Sequence, residues 1–210
     1  MEGKLTLLER HLVLWVFKQK RLHPERKGKY DALDESAVKG MFERLFFGTY
    51  KCLARIEGHT SYVKCLTLYG NKLFSAGDDG TIRVWDADKH KHLATLRGHT
   101  ADVECLTLYG NKLFSAASDW DIRVWDADTH EHLATLEGHT SWVSCLTLYG
   151  NKLFSAAGDR TIRVWDADTH EHLATLEGHT ADVGCLTLYG NKLFSGSGDS
   201  TIRVWNVKED

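Results

Sequence analysis

The stretch LATLRGHTADVECLTLYGNKLFSAASDWDIRVWDADTHEH (93–132) is followed at once by LATLEGHTSWVSCLTLYGNKLFSAAGDRTIRVWDADTHEH (133–172). A looser copy precedes the pair from Leu53, and a clipped one follows from Leu173. A fixed period of 40 residues marks a stacked or radial repeat architecture, in which each unit buries its apolar face against its neighbours. Near-identical copies also control one another. A position that differs between them is one that folding alone did not dictate.

Within 133–172 the pattern alternates with period two, the signature of short strands with one buried face. Val143–Tyr149 reads as a first strand and Lys152–Ala156 as a second, joined by Gly150-Asn151, a pair suited to a tight hairpin. Gly158-Asp159-Arg160 turns the chain into a third strand, Thr161–Trp165. After Asp166 to His170 comes a fourth, Leu173–Leu176. Four antiparallel strands per unit with no intervening helix predict a mainly β fold built of propeller blades.

Two dipeptides recur in register with these strands. Gly-His stands at 58–59, 98–99, 138–139 and 178–179, and Trp-Asp at 85–86, 125–126 and 165–166. With a turn Asp six residues before each Trp, residues 53–210 resemble the WD40-repeat β-propeller family; the fourth copy departs, with Trp205-Asn206. The resemblance implies a buried hydrogen-bonded relay in each blade. Its members would be His59, Ser75, Asp79 and Trp85; His99, Ser115, Asp119 and Trp125; His139, Ser155, Asp159 and Trp165; and His179, Ser195, Asp199 and Trp205. A buried indole N–H needs an acceptor, and a Ser–His–Asp chain supplies one while satisfying each of its own polar atoms. The same inventory could suggest a hydrolase triad. Four equivalent copies, with no nucleophile turn and no oxyanion-hole motif, read as scaffold, and no catalytic residue is assigned.

Strand counting constrains assembly. The four fourth-type strands begin at Leu53, Leu93, Leu133 and Leu173, so the first precedes any blade it could complete while the last blade lacks one. The segment 53–57 must therefore finish a final blade, the clasp that the resemblance implies. Propellers contain about 4–8 blades, and WD40 wedges suit the larger rings. Four blades then form either a strained four-membered ring or half of an eight-bladed ring made by two chains exchanging strand 53–57. The homodimer is the expectation, because it hides both open sheet edges without distortion.

The copies at 93–132 and 133–172 differ at seven positions: Arg97/Glu137, Ala101/Ser141, Asp102/Trp142, Glu104/Ser144, Ser118/Gly158, Trp120/Arg160 and Asp121/Thr161. All but the first lie in two windows, the loop entering the first strand and the turn between strands two and three, which share one rim of a propeller. The outer copies contribute Tyr62, Lys64, Asp78 and Asp182 to the same windows. Exchanges such as Asp for Trp or Trp for Arg are incompatible with a packed core, so these positions face solvent. Trp, Tyr and Arg dominate binding energetics, and loops on a rigid scaffold are where recognition sits. Tyr62, Lys64, Asp78, Asp102, Glu104, Trp120, Asp121, Trp142, Ser144, Arg160 and Asp182 are the expected partner-binding set. Uniform drift would also have varied the third turn, Asp-Ala-Asp-Thr-His-Glu-His, yet it is identical in the two copies.

Composition bounds the remaining possibilities. Residues 1–52 carry 11 Lys and Arg against 7 Asp and Glu, and residues 53–210 carry 15 against 22. An acidic propeller is a poor ligand for phosphate backbones, so nucleic acid is not the expected partner. Cys65, Cys105, Cys145 and Cys185 share one strand position and read as small hydrophobes, which together with Cys52 suits a reducing, cytoplasmic compartment. The longest apolar run, Leu12–Phe17, is too short to span a bilayer. The pairs His90/His92, His130/His132 and His170/His172 lack a carboxylate or thiolate to complete a metal site, so neither metal nor cofactor is expected. Residues 1–52 do not repeat; their pattern is compatible with a helix over 4–21, although Leu12–Phe17 equally suits a buried strand, and with another helix from Asp34 or Ser36 to Phe47, a small helical extension with a basic stretch between 18 and 29. The function expected is a protein–protein interaction scaffold without catalysis. The alternatives are an adaptor or substrate-receptor subunit docked through 1–52, or an engineered or structural repeat with no ligand.

Overall fold

The structure, a computed structural model, describes residues 52–207. The helices expected within 1–52 lie outside the described residues, apart from the terminal Cys52. Fifteen strands follow in chain order. The first blade comprises β1 (Val63–Tyr69), β2 (Lys72–Gly77), β3 (Ile82–Asp86) and β4 (His92–Leu96). The second comprises β5 (Val103–Tyr109), β6 (Lys112–Ala117), β7 (Ile122–Asp126) and β8 (His132–Leu136), and the third β9 (Val143–Tyr149), β10 (Lys152–Ala157), β11 (Ile162–Asp166) and β12 (His172–Leu176). The fourth holds β13 (Val183–Tyr189), β14 (Lys192–Ser197) and β15 (Ile202–Asn206). Each sheet is an antiparallel meander in sequence order; three have four strands and the last has three.

The predicted elements form close to their expected bounds, and the differences have local causes. The third strand starts at Ile162, because the Thr161 N–H and hydroxyl are both given to Asp159 Oδ1, at 3.0 and 2.7 Å. The hairpin closes with Tyr149 opposite Lys152, and Gly150 has φ +56° while Asn151 stays out of the left-handed region. Glycine first is the type II′ arrangement, whose twist matches that of the flanking strands.

Every inner strand carries one unpaired residue. Val63 pairs with Gly77 and Cys65 with Ala76, which leaves Lys64 bulged, and the same shift leaves out Glu104, Ser144 and Gly184. A bulge re-aims the side chain it releases.

Three apolar clusters form the core, each bridging two successive blades. In the first, Phe74, Ile82, Val84 and Leu96 of one blade meet Val103, Leu106, Leu113 and Trp125 of the next. Each such side chain contributes about 1.5–3 kcal/mol on full burial. Among the described residues no cluster joins the fourth blade to the first. Ile202 is 75% exposed where Ile122 and Ile162 are fully buried, and Leu66 is 61% exposed where Leu106 and Leu146 are buried. Among the described residues, the first and last blades are therefore not packed against each other as the strained four-membered ring would require. The segment 53–57 forms no strand, and Leu53 and Ile56 are exposed.

Candidate partner-binding rim

The relay assembles in all four blades. His59 Nδ1 lies 2.8 Å from Asp79 Oδ2 and its Nε2 lies 2.7 Å from Ser75 Oγ, which accepts the Trp85 Nε1–H at 2.8 Å. A carboxylate only accepts, so Nδ1 carries the proton and Ser75 turns its own O–H toward Nε2. The equivalent atoms meet at 2.7–3.0 Å in the sets of His99, His139 and His179. All four serines are buried and committed to the indole. The arrangement clamps the entry loop, the second strand and the third strand of each blade together.

The relay carboxylates sit low. Burial works against ionisation of Asp79, but donors from Thr81, the Thr60 N–H and His59 outweigh it and hold the carboxyl well below its ordinary range. Asp159 is lowered in the same way, and Asp199 by the Thr201 hydroxyl ahead of other causes. In the second blade Asp121 replaces the threonine. Only its N–H reaches Asp119, at 3.3 Å, and burial followed by the Asp119 charge pushes the Asp121 carboxyl up.

The two variable windows are bonded to each other. Asp78 N–H donates to Tyr62 O, Ser118 N–H to Asp102 O, Gly158 N–H to Trp142 O, and Gly198 N–H to Asp182 O, all at 2.8–3.0 Å. The entry loop and the second turn of each blade thus share one edge of the array. Tyr62, Trp120, Trp142, Arg160 and Asp182 are exposed there, while Asp78, Asp102, Glu104, Asp121 and Ser144 are half-buried.

Part of the set is engaged within the array. Bulged Lys64 reaches the next blade, 2.8 Å from Glu104 Oε1 and 3.1 Å from Asp78 Oδ1, and Ser118 donates to the same Glu104 oxygen at 3.0 Å. Ser144 Oγ donates to Val183 O of the next blade at 2.6 Å. These residues link blades across the inner strands. The free chemistry of the rim lies in Trp120, Trp142, Arg160, Tyr62 and Asp182.

Sequence reasoning missed one feature of this edge. The turn between the second and third strands has a left-handed residue in every blade: Gly80 (φ +68°), Trp120 (φ +78°), Arg160 (φ +72°) and Ser200 (φ +66°). Glycine in the first copy was the available signal. A bulky L-residue there costs roughly 1–2 kcal/mol, and a Cβ built on Gly80 lies 3.3 Å from Ala101 O in the neighbouring entry loop. Two of the most distinctive rim side chains therefore stand on strained backbone.

A second missed feature belongs to the opposite edge. Lys72 Nζ donates to Ala127 O at 2.9 Å and Asp128 O at 3.1 Å, and Tyr69 Oη donates to Asp128 Oδ2 at 3.0 Å. Lys112 and Tyr109 repeat this on Ala167 and Asp168. These links tie the first two hairpins to the third turn of the following blade, and they account for the identity of that turn in the second and third copies. The histidine pairs serve the same packing. His130 lies edge-on to Phe74 of the preceding blade, His170 does the same on Phe114, and His132 and His172 lie edge-on to Trp125 and Trp165.

All five cysteines are free. Burial leads the causes that push the Cys65 thiol up to about 12. Cys185 is exposed, because its strand borders the open end. Among the described residues no helix is long and apolar enough to cross a membrane.

Four matches to the family model described as "WD domain, G-beta repeat" cover residues 50–86, 90–126, 130–166 and 170–206, more than half of the sequence. The chain belongs to the WD40-repeat family, whose domains are typically non-catalytic scaffolds. A segment of 38 residues is 55% identical to nuclear distribution protein PAC1 of Candida glabrata; this is 18% of the chain and only 8% of the relative's length. Among solved structures, the computationally designed Ika4 protein superposes with a TM-score of 0.70 at 35% identity, over 75% of this chain and 99% of that one. U3-55K superposes with a TM-score of 0.68 at 29% identity, over 72% of this chain and 51% of that one.

Proposed function

We propose that this chain is a non-catalytic recognition scaffold that binds a protein or peptide through the rim edge carrying Tyr62, Trp120, Trp142, Arg160 and Asp182. Two chains close one eight-bladed ring in the cytoplasm by exchanging strand 53–57. The observation that carries the binding reading is the left-handed backbone at Trp120 and Arg160. Drift toward stability would leave glycine there, as in the first blade; bulky residues kept on strained backbone fit selection for what their side chains touch. The absence of catalysis rests on the relay serines, whose hydroxyls are buried beneath the indoles they hold. The two-chain ring is supported by the open end faces and by the fit of these four blades to about half of the U3-55K chain.

Affinity capture with the full-length chain tests the binding reading. A partner retained by the wild type and by Glu171→Ala, on the opposite edge, is expected to be lost by a Trp120→Ala/Trp142→Ala variant of unchanged fold. Equal capture by all three proteins would overturn the assignment of the rim.

A further inference from the structure

The internal seams predict what an external one must contain. Twice along the array, the downstream face of one blade meets the upstream face of the next with the same atoms in the same places, and a third seam repeats the apolar packing. At the first seam Lys72 and Tyr69 hold the Ala127-Asp128 turn, Phe74 meets His130 edge-on at 6.2 Å, and Ile82 and Val84 pack with Val103 and Leu106. At the second, Lys112, Tyr109, Phe114, Ile122 and Val124 play the same parts against Ala167, Asp168, His170, Val143 and Leu146.

Among the described residues, both halves of such a seam lie unused on the first and last blades. Downstream, Lys192 and Tyr189 flank the last hairpin with no side-chain partner among the described residues, Ile202 and Val204 are exposed, and Phe194 is half-buried where Phe74 and Phe114 are fully buried. Upstream, the Asp88 carboxylate has no partner among the described residues, His90 is exposed while His130 and His170 are half-buried, and Val63 and Leu66 face outward. The backbone of the upstream turn is already in its docked form. His90 has φ +57° against +68° and +67° for His130 and His170, and the Ala87 N–H donates to Asn71 O at 2.7 Å as its counterparts do.

We infer that the two end faces form a fourth copy of the internal seam, with a second copy of this chain as occupant: Lys192 and Tyr189 grip the Ala87-Asp88 turn of the partner, Phe194 meets the partner's His90, and Ile202 and Val204 cover the partner's Val63 and Leu66. The inference rests on the two-chain reading above and gives that reading its contact list. Continuity with the first two seams selects a second copy over an unrelated occupant, since apolar, aromatic, cationic and acidic positions all match at once. The register extends to the exchanged strand. Ile82 lies opposite Leu96 and Ile162 opposite Leu176, so Ile202 lies opposite Ile56 of the partner, again apolar against apolar. Two-fold symmetry makes both seams of the ring identical.

Zero-length carbodiimide cross-linking of the full-length chain, with light and heavy isotopic forms mixed, reads the seam directly. Lys72–Asp128 and Lys112–Asp168, ion pairs at 3.4 and 3.5 Å, provide the intramolecular controls. The expected result is a particle of two chains by light scattering, and a Lys192–Asp88 link found in mixed light–heavy form. Ile202→Arg alters a side chain that is exposed in the lone chain, so the variant keeps its circular dichroism while its dissociation constant rises by at least about 100-fold. A two-chain particle with both control links but no mixed Lys192–Asp88 link, and with Ile202→Arg still paired, overturns the seam and leaves the two-chain reading intact. A monomeric wild type, or a Lys192–Asp88 link confined to single chains, overturns both.

Discussion

Gly158 lies directly beneath the indole of Trp142: a Cβ at residue 158 would come within 2.7 Å of the ring. The second blade has Ser118 and Asp102 at the same two positions, and the fourth has Gly198 and Asp182. In the third blade the pairing of glycine with tryptophan has a steric reason. Glycine lets the turn support a ring laid flat against it, and a side chain there would lift the ring away.

Gly158→Ala is expected to displace the Trp142 indole without removing it. Acrylamide quenching of tryptophan fluorescence should increase, and affinity for the captured rim partner should fall by about tenfold, equivalent to about 1.4 kcal/mol. The melting temperature should move by no more than a few degrees, because the ring is on the surface.

Trp120→Gly and Arg160→Gly should each stabilise the fold by about 1–2 kcal/mol, the cost of a left-handed L-residue, while weakening partner capture. Urea denaturation followed by circular dichroism reads the first effect. A loss of stability in both variants would show that these side chains hold the turn, and would remove the strain argument for the rim.

Ser155→Ala should cost about 1–3 kcal/mol for each polar group it orphans. Two are left, the Trp165 Nε1–H and His139 Nε2, both deep in the third blade. The loss should appear in the denaturation midpoint, and it should exceed that of Ser144→Ala, whose hydroxyl lies nearer the edge.

Asp121→Thr restores the hydroxyl donor that blades one, three and four supply to the relay carboxylate at 2.6–2.7 Å. It also removes a carboxylate held up by burial and by its neighbour. A gain of about 1 kcal/mol is expected, together with a further fall of the Asp119 titration midpoint measured by NMR.

Acid should destabilise the array in two windows. Burial disfavours the imidazolium of His130 and His170 and holds both below the ordinary histidine value of 6.5. The unfolded chain binds those protons first, so stability falls as pH drops through and below 6.5. Asp79, Asp119, Asp159 and Asp199 are all lowered from 3.8. Their contribution is full above that value and is lost as pH falls below it. Thermal melts from pH 8 to pH 3 should therefore decline gently at first and steeply at the end.

Much of this could be read from the residues in order. Alternation in Val143–Tyr149, glycine at 150 and the spacing of His139, Ser155, Asp159 and Trp165 are local or strictly periodic features, and strands, hairpins and relay all follow from them. The same periodicity isolated the rim, because the copies disagree mainly in two windows that include 102, 104, 120, 121, 142, 144 and 160.

The division of labour within that set came only from tertiary structure. Lys64, Glu104 and Ser144 vary like Trp120 and Trp142, yet bulges turn them across the inner strands into contacts with the next blade, and no one-dimensional pattern shows a bulge. The left-handed backbone at Trp120 and Arg160 was signalled only by Gly80 in the first copy, since both residue types usually sit at negative φ. The unequal fate of identical positions was hidden too: Ile122 and Ile202 have the same neighbours in sequence, and one is buried while the other is bare. Sequence specifies the blade because strand pairing and the relay are satisfied within about 40 residues. Burial of a blade's face depends on having a neighbour, and only the three-dimensional arrangement shows which faces still lack one.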